Sequence, residues 1–279
     1  MKNTINQPQI LAIHDLSGFG HTSLMAVIPL VYAHGLNLCV LPSSLLSSNT
    51  CYNDFRLLDT GNFMKQCLEH YKELRLTFQA IYSGFLGGPE QVSTLLHAGK
   101  NFLAEDGIIL VDPVMADEGK LYSCYDFSMV LAMRRLVSIA DIITPNFTEA
   151  CFLADLPVLD DVDANFARDL CDILHTLGAK EVIVTSAPRK NDDNLIIYSE
   201  KKGSDPVLIP NPHLPTFFTG TGDMFSTLTL IYAMNNVPRI EGIKKAADFI
   251  FEAIKYSNEK GRDGRSGVIL QDFIRKFNV

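Results

Sequence analysis

Short apolar runs alternate along the chain with longer stretches whose apolar residues recur at helical spacing. Residues 10–13, 38–41, 80–82, 108–111, 142–143 and 181–185 read as buried strands. Segments 23–34, 61–74, 89–103, 127–137, 147–153 and 162–177 carry the spacing of amphipathic helices. This strand–helix alternation predicts βαβ units and a mainly parallel sheet covered on both faces. A charged turn at 190–193 precedes an apolar run at 195–198, and a Gly-Ser-Asp-Pro turn precedes 207–209. Those two strands predict an antiparallel meander at one edge of the sheet. Helices at 222–234 and 240–256 close the pattern. No internal repeat, low-complexity tract or interdomain linker interrupts it, so residues 1–279 are expected to form one α/β domain.

Polar or small residues recur just past the strands: His14-Asp15-Leu16-Ser17-Gly18, Ser47-Ser48-Asn49-Thr50, Ser83-Gly84, Asp112-Pro113, Thr144-Pro145-Asn146 and Thr185-Ser186. Ligands of open parallel sheets bind at the carboxyl ends of the strands. Each cluster alone is ordinary turn chemistry; together they predict a site along one rim.

Composition narrows the chemistry. The chain has 279 residues, 47% of them hydrophobic, enough for a sizeable core. Net charge is −8, with no basic cluster of the kind that holds nucleic acid. The six cysteines are scattered without a Cys-x-x-Cys pair, which points to a reducing, cytoplasmic setting. No apolar run is long enough to span a bilayer, and the polar start at 1–9 lacks the apolar core of a signal peptide.

The most informative run is Thr219-Gly220-Thr221-Gly222-Asp223-Met224-Phe225-Ser226. A Gly-Thr-Gly turn opening a helix exposes backbone N–H groups at the positive end of the helix dipole, an anion site. A carboxylate beside it repels phosphate, unless it must touch a hydroxyl while the N–H groups hold a phosphoryl group. Asp223 therefore reads either as a helix cap or as the base that receives the proton of an attacking alcohol. Because phosphoryl transfer has a loose transition state, a base of ordinary or lowered pKa suffices. Asp112, held extended by Pro113, is a candidate near Mg²⁺, as is Asp117. Asn146 and Glu149 have the spacing of a capping box, and Glu149 can also position metal-bound water; both readings stay open. His14 and His21 can touch substrate or serve the structure. The charged segment 257–267 can flank a nucleotide or lie in solvent. Gly18-Phe19-Gly20 lacks the third glycine of a dinucleotide loop, and neither a P-loop nor a Gly-x-Ser-x-Gly elbow occurs.

Gly220-Thr221-Gly222-Asp223, Asp112-Pro113-Val114-Met115, Thr144-Pro145-Asn146 with Glu149, and Ser83-Gly84-Phe85-Leu86-Gly87 together resemble the ribokinase-like superfamily, and most closely its pyridoxal/pyridoxamine kinase branch. The resemblance runs from about residue 10 to 267. It implies a three-layer α/β/α fold with a small β flap, commonly in a homodimer. It also implies ATP with Mg²⁺, often K⁺, and phosphorylation of the 5′-hydroxymethyl group of a B6 vitamer. Carried over residue by residue, Asp223 is the base and Gly220, Thr221 and Gly222 the anion hole. Asp112 and Glu149 organise the metal. Asn146, Thr185, Ser186 and Asp112 lie by the nucleotide, while Asp15, Ser17, Thr50 and Phe85 contact substrate. The chain departs from the pattern at Asp15 (often Ser), Ala116 (often Gly), Phe85 (Tyr) and Ser47-Ser48-Asn49-Thr50, which lacks the usual histidine. Asp15-Leu16-Ser17-Gly18 is also similar to the hydroxymethylpyrimidine kinases of thiamine synthesis. That activity, a sugar or nucleoside kinase, and a non-catalytic ligand-binding member of the fold are the rival readings.

Overall fold

A computed structural model describes residues 9–190, 193–212 and 214–276. The polar start and the turn expected at 190–193 lie largely or partly outside these residues. The backbone is a nine-stranded sheet. Strands β1 (Ile10–Ser17), β2 (Leu38–Leu46), β4 (Phe78–Ser83), β5 (Leu103–Val111), β8 (Ile142–Ile143) and β9 (Glu181–Ala187) run parallel, in the order β9-β8-β5-β4-β1-β2. The expected meander is β10 (Asn194–Ser199) and β11 (Val207–Asn211), antiparallel at one edge. At the other edge, β3 (Leu57–Asp59) adds antiparallel to β2. That strand is too short and too exposed to leave a periodic signal.

Apolar residues on alternate faces of the strands build two cores. Leu11 and Ile13 of β1 join Met64, Leu95, Met133 and Leu170 on one face, whereas Ile10 and Ala12 join Leu30, Leu228 and Ile243 on the other. The first core is roofed by α2 (Gly61–Glu73), α3 (Val92–Phe102), α4 (Phe127–Val137), α5 (Phe147–Ala154) and α6 (Ala164–Thr176). The second is roofed by α1 (Leu24–Ala33), α7 (Thr221–Met234), α8 (Arg239–Glu259) and α9 (Leu270–Lys276). The three-layer α/β/α arrangement is therefore as expected, with α9 an addition. The helix expected over 89–103 splits into a 3₁₀ turn at Pro89–Gln91 and α3, and β5 starts at once from Leu103. A register shift between Phe78 and Ala80 of β4 absorbs the irregular start of β5.

Two features place the site. The sheet order reverses between β1 and β4, so the loops after them diverge and leave a crevice at the carboxyl edge. A hairpin of β6 (Ala116–Asp117) and β7 (Lys120–Leu121) stands over that edge. Its two-residue turn has positive φ at both Glu118 (47°) and Gly119 (76°), the pattern of a tight hairpin whose twist matches its strands. Among the described residues, no helix is long and apolar enough to cross a membrane.

Candidate active site

Helix α7 is buried almost all round its first turns, from Asp223 through Ile231. It runs under the sheet edge with its N-terminus in the crevice. Its N-cap is Gly220, at φ 82°, which has no side chain to fill the helix end. Among the described residues nothing accepts from the N–H groups of Thr221, Gly222 and Asp223. The Asp223 carboxylate does not cap this helix. Its Oδ2 accepts from the Ser23 N–H at 2.6 Å, and its Oδ1 meets His14 Nε2 at 2.9 Å. Of the two roles open for Asp223, the cap is thereby removed, and the helix end is left free for an anion.

Ser23 reaches that carboxylate from a strained backbone, φ 55° and ψ −135°, rare for a residue with a Cβ. His14, 1% exposed at the end of β1, has its other ring nitrogen, Nδ1, 2.9 Å from Asp15 Oδ1. Burial works against a charge on His14, but the Asp223 and Asp15 carboxylates outweigh it and raise its pKa to about 10. Burial likewise works against a charge on Asp223, and His14 with the Ser23 N–H overcomes it, holding the carboxyl below the usual range. A carboxylate of ordinary or lowered pKa was expected to suffice for a base here, and the lowered direction at Asp223 is compatible with that role.

Asp112 sits just past β5, its N–H bonded to the Ser83 carbonyl. Ser226, one helical turn after Asp223, donates to Asp112 Oδ2 at 2.8 Å, so the Thr144 hydroxyl, 2.8 Å from Ser226 Oγ, donates to Ser226 in turn. Burial and the nearby Asp223 charge raise the Asp112 pKa to about 7. Glu149 forms the expected capping box: Oε2 accepts from the Asn146 N–H, and Asn146 Oδ1 accepts from the Glu149 N–H, both at 2.9 Å. Its Oε1 accepts from the N–H groups of Met115 and Ala116, binding the flap to α5. Burial and Asp112 push the Glu149 carboxyl above the usual range, against these three donors.

One cavity of ≈ 320 Å³ gathers the expected residues. Asp15, Ser17, Thr50, Phe85, Asp112, Asn146, Glu149, Thr185, Ser186, Gly220, Thr221, Gly222 and Asp223 all lie on its wall. Several face it differently from what residue type suggests. Asp15 is 3% exposed, with its oxygens directed at His14 and at the Ser17 hydroxyl, 3.0 Å away. Ser17 is fully buried and supports Asp15. The Asn146 amide holds the Ala116 carbonyl at 2.7 Å, so its side chain braces the flap. Ser186, by contrast, is exposed at φ 57° where β9 bulges against β10. The segment after α8 packs by the rim: Asn49 donates to the Arg265 carbonyl, and Thr219 to the Gly264 carbonyl.

Ser23, whose N–H holds Asp223, also belongs to this wall, as do Tyr122 and Phe217, and Ser226 reaches it through Asp112; sequence reading gave none of the four a role. Ser226 had a signal, since position i+3 on a helix shares the face of Asp223. A backbone N–H carries none.

The wall is acidic. Asp15, Asp112, Asp117, Glu149 and Asp223 face it, and His14 is the basic side chain among its described residues that both geometry and pKa mark as charged. A polyphosphate entering this cavity meets repulsion except at the α7 terminus. Among the described residues no cluster of three or more His, Cys, Asp or Glu could hold a metal by itself. A divalent cation bound through one or two carboxylates, water and substrate phosphates fits this donor set, because it also neutralises the buried Asp112 and Glu149.

The sequence profile of the phosphomethylpyrimidine kinase family matches residues 33–267. A pyridoxal kinase of Arabidopsis thaliana is 29% identical over 87% of this chain and 78% of its own length. A crystal structure from Bacteroides thetaiotaomicron, provisionally assigned as a phosphomethylpyrimidine kinase and containing pyridoxal, superposes with a TM-score of 0.93 and 33% identity, covering 98% of this chain and 96% of that one. Pyridoxal kinase of Lactobacillus plantarum superposes with a TM-score of 0.86 and 26% identity, over 97% and 96% of the two chains.

Proposed function

This chain belongs to the phosphomethylpyrimidine kinase family, and from that premise we propose that it is an ATP-dependent kinase transferring a phosphoryl group to the 5′-hydroxymethyl group of a B6 vitamer. The observation that carries this reading is the division of labour at the start of α7. Asp223 is turned away from its own helix by His14 and Ser23, so the free N–H groups of Thr221 and Gly222 share the cavity with an ionised carboxylate. The alcohol lies against Asp223; its oxygen bonds to the γ-phosphorus as the bond from that phosphorus to the β,γ-bridging oxygen breaks and ADP leaves, and Asp223 takes the alcohol proton late in that step. The anion hole receives the charge on the transferring group. Because the proton leaves late, the lowered basicity of Asp223 does not impede it, while its fixed aim supplies the orientation.

Asp112 and Glu149 are the proposed metal arm. Mg²⁺, when bound there, neutralises phosphate charge. Asp112 supplies a carboxylate oriented by Ser226, and Glu149 acts through water, because backbone N–H groups already hold both its oxygens. All five of Thr185, Ser186, Phe85, Thr50 and Asp15 line the cavity; Thr185 and Ser186 are the proposed nucleotide contacts and Phe85, Thr50 and Asp15 the proposed acceptor contacts.

ATP consumption with pyridoxal, pyridoxamine and hydroxymethylpyrimidine supplied separately tests the reading. Turnover with a vitamer is expected. Turnover with the pyrimidine alone replaces the substrate, and binding without turnover removes the kinase.

A second copy of the chain is the proposed cover for the outer edge of the sheet. There Leu58 (61% exposed) and Phe63 (58%) stand beside the open edge of β3, with Leu45 and Leu57 also exposed. Sedimentation is expected to give a dimer, and Leu58→Asp with Phe63→Asp a monomer. A monomeric wild type would sink this assignment.

A further inference from the structure

We propose that His14 is a positioning residue for the transfer: its ring, clamped as an imidazolium between Asp15 and Asp223, holds the base ionised and ties its aim to the acceptor side of the site. The inference rests on Asp223 being the base. Its geometry is one continuous chain, from the Ser17 hydroxyl to Asp15 (3.0 Å), from Asp15 to His14 Nδ1 (2.9 Å), and from His14 Nε2 to Asp223 (2.9 Å).

A competing arrangement of the ring protons exists. The Asp15 N–H also lies 2.9 Å from His14 Nδ1 and would donate to it if that nitrogen were bare. A bare Nδ1, however, would face the Asp15 carboxylate with a lone pair. Asp15 and Asp223 would then be two buried negative charges sharing one neutral ring. Doubly protonated, the ring satisfies both carboxylates, at the loss of one weak backbone contact. The groups facing the ring agree. Asp15 comes from β1 and Asp223 from α7. Tyr82 of β4 presents its ring at 6.0 Å between centroids, and Asp112 past β5 adds a further negative field. The raised pKa of His14 accords with this arrangement.

The fold makes room for the ring in a specific way. A Cβ on Gly84, just past β4, would collide with the His14 imidazole. The Ser83-Gly84 pair at the strand switch is thus a seat for His14. Asp15 lies on the cavity wall at 3% exposure with its oxygens on His14 and Ser17, so ligand contact on its side reaches the base through this ring.

Two variants and one spectrum test the proposal. His14→Gln keeps a neutral donor toward Asp223 and loses the charge; His14→Leu loses both. In the wild type, the ¹⁵N imidazole signals of His14 are expected to show both nitrogens protonated at about pH 8.5, well above the ordinary titration of histidine. In His14→Gln, burial and Asp112 should raise the Asp223 pKa. The acid limb of the kcat profile should then move up by at least about one pH unit, with kcat at neutral pH down about 10-fold and the nucleotide KM little changed. His14→Leu should lose more kcat than His14→Gln. A singly protonated wild-type ring at that pH overturns the proposal, as does His14→Gln with an unshifted pH profile and wild-type kcat. If neither variant folds, the spectrum alone decides. Absence of kinase activity in the wild type would overturn the proposed function and leave the ring's protonation as a separate, readable result.

Discussion

Asp223→Asn is expected to lower kcat by about 10³-fold while nucleotide affinity stays within about twofold. The carboxylate is the proposed acceptor of the alcohol proton, whereas the unbonded N–H groups of Thr221 and Gly222, the proposed phosphate donors, are untouched. The folded state should tolerate the change because His14 can adapt. Asparagine offers one acceptor and one donor where Asp223 offered two acceptors. The Ser23 N–H can keep the acceptor, and His14 Nε2 can release its proton and accept from the new amide. Nδ1–H then remains on Asp15. The prediction is checked by initial rates with a saturating vitamer together with a nucleotide titration. A variant retaining more than about a tenth of wild-type kcat would remove Asp223 from the role of base.

The two glycines of the same turn are expected to fail in different ways. A Cβ on Gly220 would run into the His21 carbonyl oxygen and crowd Thr22 Cα, from a backbone at φ 82° that costs a side-chain-bearing residue about 1–2 kcal/mol. Gly220→Ala should therefore displace the start of α7. The expected outcome is a Tm lower by roughly 5 °C, with loss of both nucleotide binding and turnover. At Gly222 a Cβ meets nothing within 4 Å, and its φ carries no strain. Gly222→Ala should leave Tm unchanged or slightly raised, since alanine is the better helix former. It should still lower kcat/KM by about 10²-fold, because the methyl group occupies the space through which the phosphoryl group reaches the free N–H groups. Thermal melts and steady-state kinetics on the pair separate the two effects. Wild-type kcat/KM in Gly222→Ala would place the transferring group somewhere other than the α7 terminus.

Much of this arrangement was legible before the structure. The six parallel strands, their two helical faces and the edge meander follow from apolar periodicity, because strands buried on both faces read as unbroken apolar runs. The rim clusters and the Gly-Thr-Gly-Asp turn were visible because phosphate sites use a small vocabulary of residues at fixed spacing. The capping box of Asn146 and Glu149 was also readable, being a contact between residues three apart. Strand β3 and α9 escaped, and the β6–β7 hairpin was expected only as the small flap that the family resemblance implied, not from periodicity. Each is too short to repeat a period, and pairing or docking with distant parts of the chain stabilises it.

Charge and aim were harder to read than position. From residue types alone, Asp223 could cap its helix, Asp15 could face the substrate and His14 could be an ordinary core histidine. Each choice turns on a partner remote in the chain: Asp223 on Ser23 and His14 some two hundred residues earlier, Asp112 on Ser226, His14 on the space left by Gly84. The sequence by itself determined the layers, the rim and the residue types available for phosphoryl transfer, because these rest on local periodicity and short-range backbone chemistry. Only the tertiary structure decided which carboxylates are ionised, which are already held by backbone donors and which face the open cavity. Burial and opposing charges shift a carboxyl or an imidazole by several pH units, and both are set by what the folded chain brings within hydrogen-bonding distance.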